Sequence, residues 1–303
     1  MKKYQFDQSP QLIRPPKYSG ITLSLLSLFV LVCMLAVWEK MPKDDIQSPL
    51  AVRAPAKAED VLRDAVKGFE EETGASLRLR FDSFAGENGD SPPASQPHDL
   101  LIFEDHASSA LQAKQRIKVN MVLLAYQKAK PDSPALVASV PETCRNSILA
   151  FQFARYLSAP TRGQFDFARA GWTGVEGDRW SIVPEIKVWI SDELGQHIHP
   201  FFATFEQREG AKVISESFSI ESLFKAVEIA SKSEAKDFLP DIIYVQGKKQ
   251  NNKLSDLSFR GIHESLSPGF TNFQIHLNLW SKIPNISERL ALHCINSVKD
   301  REP

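Results

Sequence analysis

From Tyr18 to Trp38 the chain carries no charge, and its heart, SGITLSLLSLFVLVCMLAVW, is apolar on every helical face. That length matches the roughly 20 residues a helix needs to cross the hydrocarbon core, so a transmembrane helix is predicted over 19–38. Lys2, Lys3, Arg14 and Lys17 precede it against a single Asp7, whereas charges of both signs follow, from Glu39 to Asp45. The positive-inside bias then keeps residues 1–18 as a cytoplasmic tail of an inner-membrane, single-pass protein and exports the rest. A cleaved signal peptide is the rival reading, but the apolar run is long for one and no small-x-small site follows Trp38. Residues 39–49, with Pro42 and Pro49, read as a linker.

Beyond the linker the pattern changes and then repeats. Phe69-Glu-Glu-Glu-Thr-Gly-Ala-Ser recurs as Phe205-Glu-Gln-Arg-Glu-Gly-Ala-Lys, and the flanks recur with it. A β-rich run (Leu50–Arg53, then Ile186–Ile190) leads into an amphipathic helix that a glycine closes in both copies. A second strand follows (Leu77–Phe81, then Lys212–Ser215), then an apolar third strand behind an aspartate (His98–Phe103, then Pro240–Val245), as buried parallel strands require. One more helix ends each copy, Ser147–Leu157 and Glu288–Val298, with a Leu-Ala pair in both. This is βαβ logic repeated, an α/β fold with lobes at 50–182 and 183–303. The turn-rich spacer Gly174–Pro184 joins them, and Gly86–Ser95 is a low-complexity loop in the first copy alone.

Charge narrows the function classes. The 36 basic and 37 acidic residues sum to −1, which excludes a global attraction to nucleic acid. The basic cluster Lys114, Arg116 and Lys118 and the pair Lys248 and Lys249 read as solvated ends of elements, and Trp172, Trp180 and Trp189 as core aromatics. Cys33, Cys144 and Cys294 have no metal-ligand spacing; a Cys144–Cys294 bridge is chemically allowed, and two free thiols fit better. His197 and His199 fall inside a helix, where residues two apart diverge, so no metal site is expected. No HExxH, GxSxG, Walker loop or GxGxxG occurs; neither a catalytic group nor a cofactor is assigned. Asn285-Ile-Ser287 is an N-x-S sequon, relevant only to a eukaryotic secretory route.

The FEEETG and FEQREG helix ends, the serine after the following strand, the DLLIF and DIIYV strands and FARYLSAPTRGQFDFARAGWTGVEGDRW together resemble the molybdate- and sulfate-type substrate-binding proteins of ABC importers, which have the type 2 periplasmic binding fold. The segment Phe153–Trp172 is the most specific part, and the likeness covers most of residues 50–303 in two copies. The resemblance implies a small anion or solute as ligand and importer membrane subunits as partners. It departs in one respect. Family members clamp an oxyanion between two lobes, yet only Glu104–Glu142 and Gln246–Ser287 are left to build the second lobe of each copy, so each is expected to be a single lobe.

Family members hold the anion with hydroxyls and helix N-terminal N–H groups, which favour negative charge. Matching positions here are Ser191 after the first strand of the second copy, and Ser83 and Ser219 after the second strands. Each has a structural explanation too: Ser191 or Asp192 as an N-cap, Ser83 and Ser219 as turn residues. The first copy has Pro55-Ala56-Lys57 where Ser191 stands, so its hydroxyl is missing. Two functions follow: a tethered solute receptor, or a degenerate binding fold acting as an envelope scaffold.

Overall fold

The computed structural model describes residues 19–40, 49–82, 98–105, 120–127, 134–232, 238–246, 254, 257–262 and 273–299. Ser83, the Gly86–Ser95 loop, Lys114, Arg116, Lys118, Lys248, Lys249, the tail 1–18 and linker positions 41–48 lie outside the described residues. Residues Met1–Ile46 form one compact unit and Gln47–Pro303 a second. In the first, α1 spans Ser19–Lys40, and its side chains are described over 24–34. Among the described residues, no helix is long and apolar enough to cross a membrane.

The second unit is mixed α/β, with two sheets. The first half runs β1 (Leu50–Pro55), α2 (Glu59–Thr73), β2 (Leu77–Asp82), β3 (Leu100–Asp105), β4 (Met121–Tyr126), β5 (Ala135–Ser139), α3 (Ser147–Ser158), α4 (Gly163–Arg169) and the short β6 (Thr173–Gly174). The second half runs β7 (Glu185–Ser191), α5 (Asp192–Glu209), β8 (Lys212–Phe218), α6 (Ile220–Lys232), β9 (Ile242–Gln246), β10 (Phe259–Ile262), β11 (Phe273–Asn278) and α7 (Pro284–Lys299).

The two sheets share one topology. The first has the order β2-β1-β3-β5-β4-β6, the second β8-β7-β9-β11-β10. In each, the first three strands are parallel and those that follow, three in the first sheet and two in the second, are antiparallel to their neighbours. The segments Glu104–Glu142 and Gln246–Ser287 therefore contain hairpin strands, β4 with β5 and β10 with β11, that extend the same sheet. The apolar MVLLAY and the alternating FQIHLN bury one or both faces, which explains why they join a sheet instead of founding a lobe.

The repeated residues repeat their bonds. Gly74 (φ 70°) and Gly210 (φ 64°) close α2 and α5 in the left-handed region, which only glycine enters at no steric cost. Behind them Glu70 Oε1 accepts from Leu77 N at 2.7 Å, and Glu206 Oε1 from Val213 N at 2.6 Å. These carboxylates tie each helix to the strand it feeds. Asp99 accepts from Ala51 N (3.0 Å) and Asp241 from Lys187 N (2.8 Å), locking the third strand against the first in both halves.

Each half has its own core. In the second, α5 and α7 cover the face bearing Ile186, Val188, Ile190 and Tyr244. There α6 covers the opposite face with Leu223 and Val227 against Ile243 and Val245. In the first, α2 and α3 pack on Leu50, Val52, Leu100 and Ile102, and Phe69 meets Phe153 and Tyr156 at centroid distances of 5.1 and 5.3 Å. Trp172 and Trp180 pack against that core, and Trp189 against the one beneath α6.

Candidate functional site

Ser191 ends β7 and occupies the N-cap position of α5, but its side chain makes no cap bond. It is fully buried, and its hydroxyl accepts from Gln246 N at the end of β9 (3.3 Å). Because α5 and α6 lie on opposite faces, Ser191 and Gln246 flank the topological switch point of the parallel strands, where ligands of open α/β sheets bind. Ser219 is exposed just before α6. It donates to Ser222 Oγ (2.9 Å) and accepts from Ser222 N (3.3 Å), the geometry of a helix-start turn. Register places Ser191 opposite Phe218, so Ser191 and Ser219 share the crest of the second sheet.

Charge at that crest opposes an anion. Asp192 and Glu193 occupy the first turn of α5 and Glu221 that of α6, each already complementing its helix dipole. In the first half Glu59 and Asp60 do the same for α2, and Pro55 stands where Ser191 would be. His197 and His199 are both exposed on α5, and no group of three metal-competent side chains occurs among the described residues.

The concave feature lies elsewhere, at the seam between the halves, where neither Ser191 nor Ser219 lines it. A cavity of about 630 Å³ is walled by Met121, Val122, Leu123 and Tyr126 of β4, by Arg155 and Ser158 of α3, by Glu176 and Asp178, by Arg260 of β10, and by Asn285, Glu288, Arg289 and Leu292 of α7.

The seam is built by α3. Its residues from Phe153 to Ser158 are all buried because one side packs on β4 and another on α5 of the second half. Asn146 caps it, accepting from Leu149 N at 3.0 Å. Just beyond, a register shift leaves Leu124 out of the β4–β5 ladder; its carbonyl accepts from the Gln164 amide, whose Oε1 accepts from Val175 N (2.9 Å). That gives Gln164 of the AlaProThrArgGlyGln stretch a structural task at the start of α4. A Cβ at Gly177 would stand 1.7 Å from the Ser158 carbonyl oxygen, so glycine lets the spacer pass close enough to place Glu176 and Asp178 in the wall.

Arginine chemistry dominates the seam. The buried Glu209 carboxylate, at the last position of α5, pairs with Arg289 (3.1 Å), Arg208 (2.9 Å) and Arg155 (3.8 Å). Arg155 Nη1 also donates to the Glu209 carbonyl at 2.9 Å. Arg208 and Arg289 lie over the Phe151 ring at 5.7 and 5.8 Å. Burial pulls the Arg155 guanidinium down to about 10, against the opposing pull of Glu209 and, more weakly, Asp178, so it stays charged at neutral pH. Asp178, itself buried, accepts from Asn285 N (2.8 Å) and Ile286 N (2.9 Å), capping α7 from the spacer. Burial raises its pKa, and Arg289 and the two N–H groups hold it back. Arg155 Nε and Nη2 are buried with no hydrogen-bond partner among the described residues.

Sequence reasoning missed this site because its residues come from five separated segments. One signal was present: Arg155 is an arginine within the apolar face of FQFARYL. Comparison of the chain with protein-family models and with curated proteins finds no match in either.

Proposed function

We propose that the chain is a membrane-anchored, solute-binding-like protein, a recognition module and not an enzyme, whose ligand sits between its two halves. The observation that carries this reading is the cavity of about 630 Å³, within the size range of small-molecule sites, with an apolar patch from β4 and Leu292 on one side and convergent charged side chains on the other. The anchor is α1: every side chain described, Ser24 to Met34, is exposed, and Leu25, Leu26, Leu28, Phe29, Val30, Leu31, Val32 and Met34 are large and apolar. A helix apolar on all sides needs an apolar surrounding. On the likeness to solute receptors of ABC importers, importer membrane subunits are its partners and the folded region is periplasmic.

A second reading, an envelope scaffold without ligand, is favoured by one observation: the helix N-termini at the crest already carry their own carboxylates. Thermal unfolding of the full-length chain in detergent separates the two. The panel is molybdate, tungstate, sulfate, phosphate and small organic acids, since a ligand bound only by the folded state raises its melting temperature. A dose-dependent rise with any of them supports the receptor; a flat panel supports the scaffold.

A further inference from the structure

We infer that the seam cavity is a site for an organic monocarboxylate, held side-on by the Nε–Nη2 edge of Arg155. The inference rests on the proposal above that the chain binds a solute, and adds where the solute binds and of what class it is.

The guanidinium is presented by geometry. Its side chain is 4 % exposed, and Nη1 is committed to the Glu209 carbonyl, which fixes the fork in one orientation. The remaining edge carries Nε–H and Nη2–H, both buried, both without an acceptor among the described residues, on a residue that lines the cavity. Two parallel N–H groups match the two oxygens of a carboxylate, and a buried donor left unmet is costly, so an acceptor there is favoured. The Ser219 hydroxyl, by contrast, already donates to Ser222 Oγ.

The walls select the rest of the ligand. Met121, Val122, Leu123 and Leu292 with the Tyr126 ring form an apolar lining, and the volume exceeds what a tetrahedral inorganic oxyanion fills. An aliphatic or aromatic body is therefore required. Charge limits the head group to a single negative charge. Arg155, Arg260 and Arg289 are opposed in the same wall by Glu176, Asp178 and Glu288, with Arg260 already on Glu288 at 3.2 Å. A dianion would face these carboxylates in a site with no surplus of cations among the described residues.

The test uses the full-length chain in detergent and follows melting temperature against hexanoate and benzoate, with hexanamide and benzamide as neutral matches and sulfate and phosphate as inorganic anions. The expected result is a rise of roughly 5–10 °C with an acid at about 100 times its Kd, and none with its amide. Arg155→Gln should weaken the acid at least tenfold. Because that variant disturbs the Glu209 cluster and could fail to fold, Leu292→Trp fills the cavity with Arg155 intact, and it should abolish the shift. Equal shifts from acid and amide, or an undiminished shift in Leu292→Trp, overturn the inference. Shifts from sulfate or phosphate alone also overturn it while leaving solute binding in place, and no shift from any compound removes both.

Discussion

Replacing Glu209 with Gln tests the seam most directly. The carboxylate is fully buried and joins Arg155, Arg208 and Arg289, which come from α3, α5 and α7. The substitution preserves shape, so it opens no cavity; it removes one negative charge from among three positive ones. Arg155 and Arg289 are each only 4 % exposed at the side chain, so water cannot take over from the lost partner. Breaking a buried pair by removing one member costs about 3–5 kcal/mol, against about 5–15 kcal/mol for the whole stability of a typical domain. Urea unfolding of the protein and of Glu209→Gln, followed by tryptophan fluorescence, measures the difference. The double variant Glu209→Gln/Arg289→Gln should recover part of the loss, because it also withdraws an uncompensated charge. A single-variant cost below about 1 kcal/mol, or a double variant worse by the full sum of the two, would refute the argument that Glu209 neutralises the seam.

Two further outcomes follow from the structure. Gly74→Ala should cost about 1–2 kcal/mol for the left-handed backbone alone, since nothing lies near its missing Cβ, whereas Gly210→Ala also meets Ile148 Cγ2 at 2.5 Å. Equal costs in denaturant unfolding would contradict the close approach of α3 to the end of α5. Burial pushes the Cys294 thiol up to about 12, with Tyr244 OH donating to its sulfur (3.4 Å) and partly opposing the shift. A folded pKa above the ordinary 9.0 means a contribution that is complete below about pH 9 and lost as pH rises towards 12. Stability should therefore fall above pH 9 by up to about 1.4 kcal/mol per pH unit from this group, and Cys294→Ala should flatten that slope; identical slopes would refute the assignment.

What was legible in the sequence was local. The αL glycines 74 and 210, the Glu70 and Glu206 caps, the aspartates 99 and 241 and the first three strands of each half recur as short motifs because their bonds connect near neighbours or one strand with the next. Helix α6 is also written in the spacing of Ile220, Leu223, Phe224 and Val227, and β4 and β5 in apolar runs without helical period. For α7 the start lies at Pro284, earlier than Glu288, because its cap is Asp178, more than a hundred residues away in the chain.

Only the tertiary structure decided where a cavity forms. The resemblance points to Ser191, Ser219 and Ser83 as anion-binding positions, each with a cap or turn role as its alternative. The structure shows the Ser219 hydroxyl engaged in its own helix-start turn and acidic first turns beside Ser191. It brings Arg155, Asp178 and Arg289 together from α3, the spacer and α7. The physical reason is range: a cap is fixed by a few covalent steps, whereas an unmet buried donor depends on which helices pack, and that follows from the burial of whole faces.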